Sequence, residues 1–203
     1  MDPARLSMPV GEAMFTQRAI RRFRSDPVPM DEVELIVEAA VKAPSGANRQ
    51  PARFLVVADR ERIRELGVLY REAWWAKRHD EGFSGPDDLP EHDAASAALA
   101  ETMGDAPCVV LVLAVHRGAA LSVVPAVQNL LLAARALGIG SVPTTLHPSV
   151  MPRFRALFGV PDDVAFHFCV PLGYPRGHFG PNVRRPTSAT TFFDRWDTQV
   201  PWA

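Results

Sequence analysis

The feature that most limits the fold of this chain is an almost continuous apolar run from Cys108 to Val115, CVVLVLAV. Polar and apolar residues do not alternate within it, which is typical of a strand that is buried on both faces. The run is far shorter than the roughly 20 residues needed to cross a bilayer. We therefore expect a central sheet that other elements cover.

Predicted strands and helices follow one another along the rest of the chain. Asp31 and Asp59 are the expected N-caps of two helices, because a carboxylate can accept the free N–H groups of a first turn. Pro44 disfavours helical geometry in the residue before it, so the first helix should end near Ala43. Strands interspersed with helices predict an α/β or α+β fold around one sheet. Strands are expected at 53–58, 108–115, 139–146 and 164–172, and helices at 31–43, 59–74, about 94–103, 122–137 and 147–158.

The helix predicted at 122–137 is apolar nearly all round. A helix without a polar face is typically buried, either in a core or in a subunit interface. By contrast, the stretch 79–90 is polar and contains Gly and Pro, which predicts a mobile or variable loop.

Composition excludes several classes of protein. The chain has 203 residues, of which 47% are hydrophobic, enough for one domain with a substantial core. Its net charge of -1 gives no global attraction to nucleic acid or to an anionic membrane. Cys108 and Cys169 lie in apolar runs, so buried reduced thiols are favoured over a disulfide. With no segment that resembles a signal peptide, these features predict a cytoplasmic protein.

Sequence motifs for metal binding or side-chain catalysis are missing. The sequence contains no Walker loop, H-E-x-x-H, paired C-x-x-C or G-x-S-x-G, and no G-x-G-x-x-G between a strand and a helix. His147 and His167 are interpreted as structural residues. We therefore predict neither a metal site nor a catalytic side chain.

Four arginines lie within seven residues in the first informative segment, RAIRRFR, from Arg18 to Arg24. A solvated basic turn is one explanation. The other is an anion site, since clustered guanidinium groups bind phosphate through charge-assisted hydrogen bonds. The near-neutral charge of the whole chain favours the second explanation.

A second segment, APSGANRQP from Ala43 to Pro51, joins a predicted helix directly to a strand. Ser45, Asn48 and Gln50 supply hydrogen-bonding groups without charge, and Gly46 lets the backbone approach a flat ligand. A generic turn would explain the Gly and Pro residues but not three such side chains.

Two further segments are weaker signals when taken alone. The third, Gly138 to Thr145, is also compatible with a helix C-cap followed by an edge strand. The fourth is the dibasic pair Arg184–Arg185 in the tail, which is equally typical of a solvated surface.

Together and in this order, these segments resemble the nitroreductase family of FMN flavoproteins. The matching phrases are RAIRRF…PVP, APSGANRQP, QNLLLAARALGIGSVPTT, VPLGYP and RRP…FDRW. The resemblance implies an α+β nitroreductase-like fold, with a central, mainly antiparallel sheet flanked by helices, in an intertwined homodimer. Residues 1–203 would form one domain, with a variable or lid insertion at about 70–104 and a C-terminal arm at about 174–203. The helix at 122–137 would form the dimer core.

The resemblance also implies which residues bind FMN. One group would hold the phosphate and ribityl chain: Arg18, Ala19, Arg21 and Arg22, joined by Arg184 or Arg185. A second group would line the isoalloxazine ring from the other subunit: Pro44, Ser45, Gly46, Asn48 and Gln50. A third would approach the opposite edge of the ring: Pro143, Thr144 and Thr145. Three positions depart from the family pattern: Gln17 replaces an Arg, Ala19 a Ser and Ala52 a Trp.

The implied reaction is a ping-pong transfer of hydride from NAD(P)H, through flavin N5, to a nitroaromatic or a quinone. The cofactor carries this chemistry, so no catalytic side chain is required. Tyr70 and Trp74 could belong to a lid over the substrate, although a place in the core or an interface is favoured. Flavin fragmentation, reductive dehalogenation and a non-catalytic flavin-binding role remain alternatives. A basic module that binds nucleic acid is the least favoured.

Overall fold

The computed structural model describes residues 2–202, and only the backbone of residue 117. One antiparallel sheet has the order β1-β2-β4-β3. Its strands are β1 (Ala52–Val57), β2 (Cys108–Ala114), β3 (Gly140–Ser141) and β4 (Ala165–Gly173). The helices are α1 (Val10–Thr16), α2 (Met30–Val41), α3 (Arg60–Asp80), α4 (Ala94–Thr102), α5 (Ala120–Ala136) and α6 (Met151–Phe158). Short 3-10 turns lie at Pro3–Arg5, Gly46–Asn48, Pro86–Asp88, Glu91–Asp93, Met103–Asp105, Arg117–Ala119, Pro148–Val150 and Thr187–Ala189.

Strand β2 is central, and all of its residues are buried. Leu111 packs with residues of α3, α4 and α6 on one face of the sheet. Val110 and Val112 pack with residues of α2 and α5 on the other face. Alternate side chains of a strand point to opposite faces, so one unbroken apolar run fills two cores. The predicted doubly buried strand is confirmed.

Two expectations for the helix now called α2 need correction. It begins at Met30 and ends at Val41, and its N-cap is Pro29 rather than Asp31. Asp31 lies within the first turn, where its carboxylate forms an ion pair with Arg5, with 3.0 Å between Nη1 and Oδ2. The proline already has the extended dihedrals of an N-cap, and its carbonyl accepts from Val33 N. A negatively charged side chain in the first turn still stabilises the helix, because it interacts favourably with the positive end of the helix dipole.

Helix α3 begins as predicted, because the Asp59 side chain accepts a hydrogen bond from Arg62 N at 2.9 Å. It continues to Asp80, so its end includes residues that were expected in the polar loop. Tyr70 and Trp74 are only 4% and 7% exposed and belong to a hydrophobic core. This corrects their possible place in a lid and agrees with the favoured core interpretation.

Both cysteines are buried and unbonded. Burial raises the pKa of Cys108 to about 11 and that of Cys169 to about 12, so both thiols stay neutral at physiological pH. Within residues 2–202, no helix is long and apolar enough to span a bilayer.

A β-bulge gives β4 one residue more than the paired stretch of β2, and this extra residue is His167. Val112 pairs with Phe168 and Leu113 with Phe166, which leaves His167 as the extra residue. Its Nε2 is buried and has no hydrogen-bond partner among the described residues. Burial lowers the pKa of His167 from its usual 6.5.

We predict that His167 makes the chain less stable in acid. Since its pKa is lower in the folded state, the unfolded state binds more protons as the pH falls below 6.5. The free energy of unfolding should therefore drop between about pH 7.5 and about pH 5.5, and drop less in His167→Gln. Urea unfolding at both pH values measures the difference. The exposed His92 provides the control variant His92→Gln, and equal drops in the two variants would refute the prediction.

Candidate functional site

The arginine segment, Arg18 to Arg24, forms backbone hydrogen bonds with two parts of the sheet. It begins after α1, whose C-cap is Gln17. Ile20 N donates to Ser141 O at 3.0 Å, on the side of β3. On its other side, Arg24 N donates to Tyr174 O at 2.8 Å, just beyond β4. Backbone hydrogen bonds therefore fix the path of this segment, and its arginine side chains are left to project from it.

The arginine cluster, defined here as Arg18, Arg21 and Arg22, lines one cleft of about 490 Å³. Among the described residues, no carboxylate forms an ion pair with these three guanidinium groups, and no acceptor forms a hydrogen bond with them. Within residues 2–202, Glu91 is the only carboxylate that lines the cleft. Positive charges gathered without counter-charges favour binding of an anion. The remaining lining residues are Ala19, Ile20, His92, Ala94, Ala95, Gly177 and His178.

The C-terminal tail approaches this cluster by crossing α1. Asn182 N donates to Phe15 O at 2.9 Å, and Asn182 Nδ2 donates to Met14 O at 3.0 Å. These contacts hold the tail two residues before Arg184. Arg184 and Arg185 are both exposed, and Arg184 Nη1 donates to the carbonyl of Val183. The tail is therefore hydrogen-bonded to α1, which directly precedes the arginine cluster.

The third segment lies directly against the first. A Cβ atom on Gly140 would lie 2.6 Å from Cγ2 of Ile20, so only glycine permits this approach. The C-cap of α5 is Leu137, and Gly138, which was expected to be the cap, follows it with a φ of 74°, in the left-handed conformation that commonly ends a helix. Beyond β3, Thr144 Oγ1 donates to Cys169 O at 2.7 Å, while Pro143 and Thr145 are exposed.

Helix α3 adds two side chains that contact the third segment. Lys77 Nζ donates to Thr145 O at 2.7 Å and to Thr145 Oγ1 at 2.6 Å. The Tyr70 phenol interacts with the Thr144 side chain, and burial raises the pKa of Tyr70 to about 12. Lys77 was not among the residues predicted from the sequence. The sequence feature that indicates it is spacing, because Lys77 follows Tyr70 by seven residues and so lies on the same face of the helix.

The second segment has an unusual backbone. Ala47, Asn48 and Gln50 have φ angles of 51°, 54° and 48°. Left-handed dihedrals at residues other than glycine are strained, and such strain clusters at binding sites. Ser45 Oγ accepts from Gln50 N at 2.9 Å, so this hydroxyl helps to hold the turn. Ala52, the departure from the family Trp, lines a neighbouring cavity of about 140 Å³.

Within the chain, the second segment lies across the sheet from the other segments. It leads into the edge strand β1, at the end where Ala52 pairs with Ala114. The third segment leaves from the opposite edge strand, β3, where Gly140 pairs with Gly173. Gly173 lies next to Leu172, which pairs with Cys108 at the first residue of β2, whereas Ala114 is the last residue of β2. The second and third segments therefore lie at opposite ends of the sheet as well. The fold of the chain therefore brings together the first segment, the third segment and the tail, but not the second segment.

Residues 15–174 match the sequence model of the nitroreductase family. This chain belongs to the nitroreductase family. Its helices and antiparallel sheet form the α+β fold of that family, which confirms the predicted fold class.

Similar proteins include members with different named activities. A protein of Thermus thermophilus named NADH dehydrogenase is 34% identical over 196 residues, covering 86% of this nitroreductase family chain and 90% of that protein. Iodotyrosine deiodinase 1 of Rattus norvegicus is 32% identical over 192 residues, covering 87% of this chain and 66% of that protein. A crystal structure of iodotyrosine deiodinase bound to FMN and 3-iodo-L-tyrosine has a TM-score of 0.73 and 26% identity, covering 94% of this chain and 100% of that chain.

Proposed function

We propose that this protein is an FMN-dependent oxidoreductase. It would take hydride from NAD(P)H and pass it to a small oxidised acceptor, a nitroaromatic or a quinone, by a ping-pong mechanism. The observation that carries the proposal is the arginine cluster, which forms no ion pair with a carboxylate among the described residues and lies against the third segment in a nitroreductase family chain. When bound, FMN supplies the hydride chemistry, and the protein supplies binding and orientation.

The described residues fit the parts of FMN. A phosphate dianion needs several charge-assisted donors, and Arg18, Arg21 and Arg22 have donors that no other described residue uses. Ala19 contributes only its backbone, and Arg184 or Arg185 would complete the phosphate site from the tail. The exposed Pro143 and Thr145, with the partly buried Thr144 between them, would border one edge of the ring.

A second copy of the chain completes this site in our proposal. Pro44, Ser45, Gly46, Asn48 and Gln50 would line the ring, but in one protomer they lie across the sheet from the arginine cluster. Large apolar side chains on α1 and α5 are exposed: Phe15 by 74%, Leu121 by 91% and Val124 by 53%. Their burial between two protomers would stabilise a homodimer.

We predict that the purified protein is yellow and elutes with twice the mass of one chain. The released chromophore should be FMN, and anaerobic mixing with NADH or NADPH should bleach it. A quinone such as menadione should then restore the oxidised spectrum. A colourless protein that takes up no added FMN would refute the proposal. A bound flavin that neither nucleotide reduces would instead favour a non-catalytic role.

Reductive dehalogenation is a second candidate, favoured by the similarity to iodotyrosine deiodinases. In that reaction a carbon–iodine bond is replaced by a carbon–hydrogen bond and iodide leaves. Reduced protein mixed with 3-iodo-L-tyrosine distinguishes the two candidates, because only a dehalogenase releases iodide as the flavin is reoxidised. Progressive loss of flavin absorbance during turnover would indicate flavin fragmentation.

A further inference from the structure

The Lys77 side chain brings a positive charge from helix α3 to the third segment. Its amine donates to both the carbonyl and the hydroxyl oxygen of Thr145. Lys77 is partly buried, and no carboxylate within residues 2–202 forms an ion pair with it. Its charge is therefore held by two neutral oxygens.

Holding the charge of Lys77 in this way is energetically unfavourable in an isolated protomer. A cation loses favourable hydration when it is partly buried, and neutral oxygens replace that hydration incompletely. Burial, followed by the neighbouring charge of Arg78, lowers the pKa of Lys77. A ligand that gained negative charge beside Thr145 would interact favourably with this cation. Two-electron-reduced FMN carries more negative charge than oxidised FMN, so it is such a ligand.

The contact also fixes the direction of the Thr145 hydroxyl. A hydroxyl group has one proton to donate and lone pairs that accept. Since the oxygen already accepts from Lys77, its proton is directed elsewhere. Thr145 is exposed, so the proton can be donated to a ligand in the site.

We propose that Lys77 is a positioning residue of the flavin site. It orients the Thr145 hydroxyl and thereby favours the reduced over the oxidised cofactor. This inference rests on the proposed function, because it requires FMN to bind with its ring beside Thr145.

The test is the reduction potential of bound FMN, measured by equilibration with a reference dye. Lys77→Met should weaken binding of reduced relative to oxidised FMN about tenfold, which lowers the potential by about 30 mV for a two-electron couple. Lys77→Arg keeps the charge and the donors, so its potential should stay within about 10 mV of the wild-type value, roughly a twofold change in relative affinity. Arg71→Met removes an exposed cation from the same helix and should leave the potential unchanged.

The double variant Lys77→Met/Thr145→Val tests the route of the effect. If Lys77 acts through the hydroxyl, its replacement in the Thr145→Val background should change the relative affinity less than about threefold. An equal effect in both backgrounds would overturn the inference, as would a wild-type potential in Lys77→Met. A wild-type chain that binds no FMN would refute the proposed function itself. A chain that binds FMN, with a potential insensitive to Lys77, would refute only the inference.

Discussion

Replacing Arg18 and Arg21 together with alanine is expected to weaken FMN binding by at least about 100-fold. Hydrogen bonds to charged groups contribute about 1.5–3 kcal/mol each, so two of them correspond to about 3–6 kcal/mol. At about 1.4 kcal/mol for each factor of ten, this gives about 100-fold to 10,000-fold. Titration of the dialysed protein with FMN, followed by flavin fluorescence, measures the loss.

The control for this double variant removes two arginines outside the cleft. Arg64 and Arg71 are exposed on α3 and form ion pairs with Glu61 and Glu101. Arg64→Ala/Arg71→Ala changes the net charge by the same amount and should retain FMN. If Arg18→Ala/Arg21→Ala stays fully loaded after dialysis, the assignment of the phosphate site is wrong.

Gly67→Ala is expected to destabilise the chain by about 2 kcal/mol, although alanine favours a helix by about 1 kcal/mol over glycine. Helix α3 passes over the turn Met103–Asp105, and a Cβ atom on residue 67 would lie 2.6 Å from both N and Cα of Gly104. These are backbone atoms, so no side-chain rotation relieves the clash. Overpacking of this kind costs about 1–3 kcal/mol or more, and the clash should outweigh the helix preference.

Thermal unfolding of the FMN-free protein measures this effect. A loss of about 2 kcal/mol lowers Tm by about 4–8 °C for a chain of this size. Gly11 in α1 provides the matched control, because a Cβ atom there would meet no atom within 4 Å. Gly11→Ala should be neutral or stabilising, by up to about 1 kcal/mol. Equal stability of Gly67→Ala and the wild type would contradict the inferred clash.

The sequence predicted those parts of the fold that depend on local pattern. The apolar run of β2 indicated its central position, because a strand buried on both faces needs apolar residues on both. The N-cap of α3 at Asp59 was predicted from side-chain chemistry within one turn. The same rule failed at Asp31, because Pro29 already had the dihedrals of an N-cap. Two competing local signals lay two residues apart, and the pattern alone did not rank them.

The candidate site was predicted as a set of segments rather than as a shape. Each segment was identified from the residue types that its chemistry needs, such as the guanidinium groups of Arg18 and Arg21. Their assignment to the flavin came from the family resemblance, and it stays a proposal for this chain. Tyr70 was placed in a possible lid because nothing local distinguishes an aromatic side chain in a core from one over a substrate.

The sequence by itself determined the family, the central strand that is buried on both faces, and the kinds of side chain available to bind an anion. Only the tertiary structure showed that Ile20 lies against Gly140, that Lys77 reaches Thr145, and that the second segment lies across the sheet. These relations join residues far apart in the chain. They depend on how strands pair and helices pack, and no local pattern of charge or hydrophobicity encodes a distance between such residues.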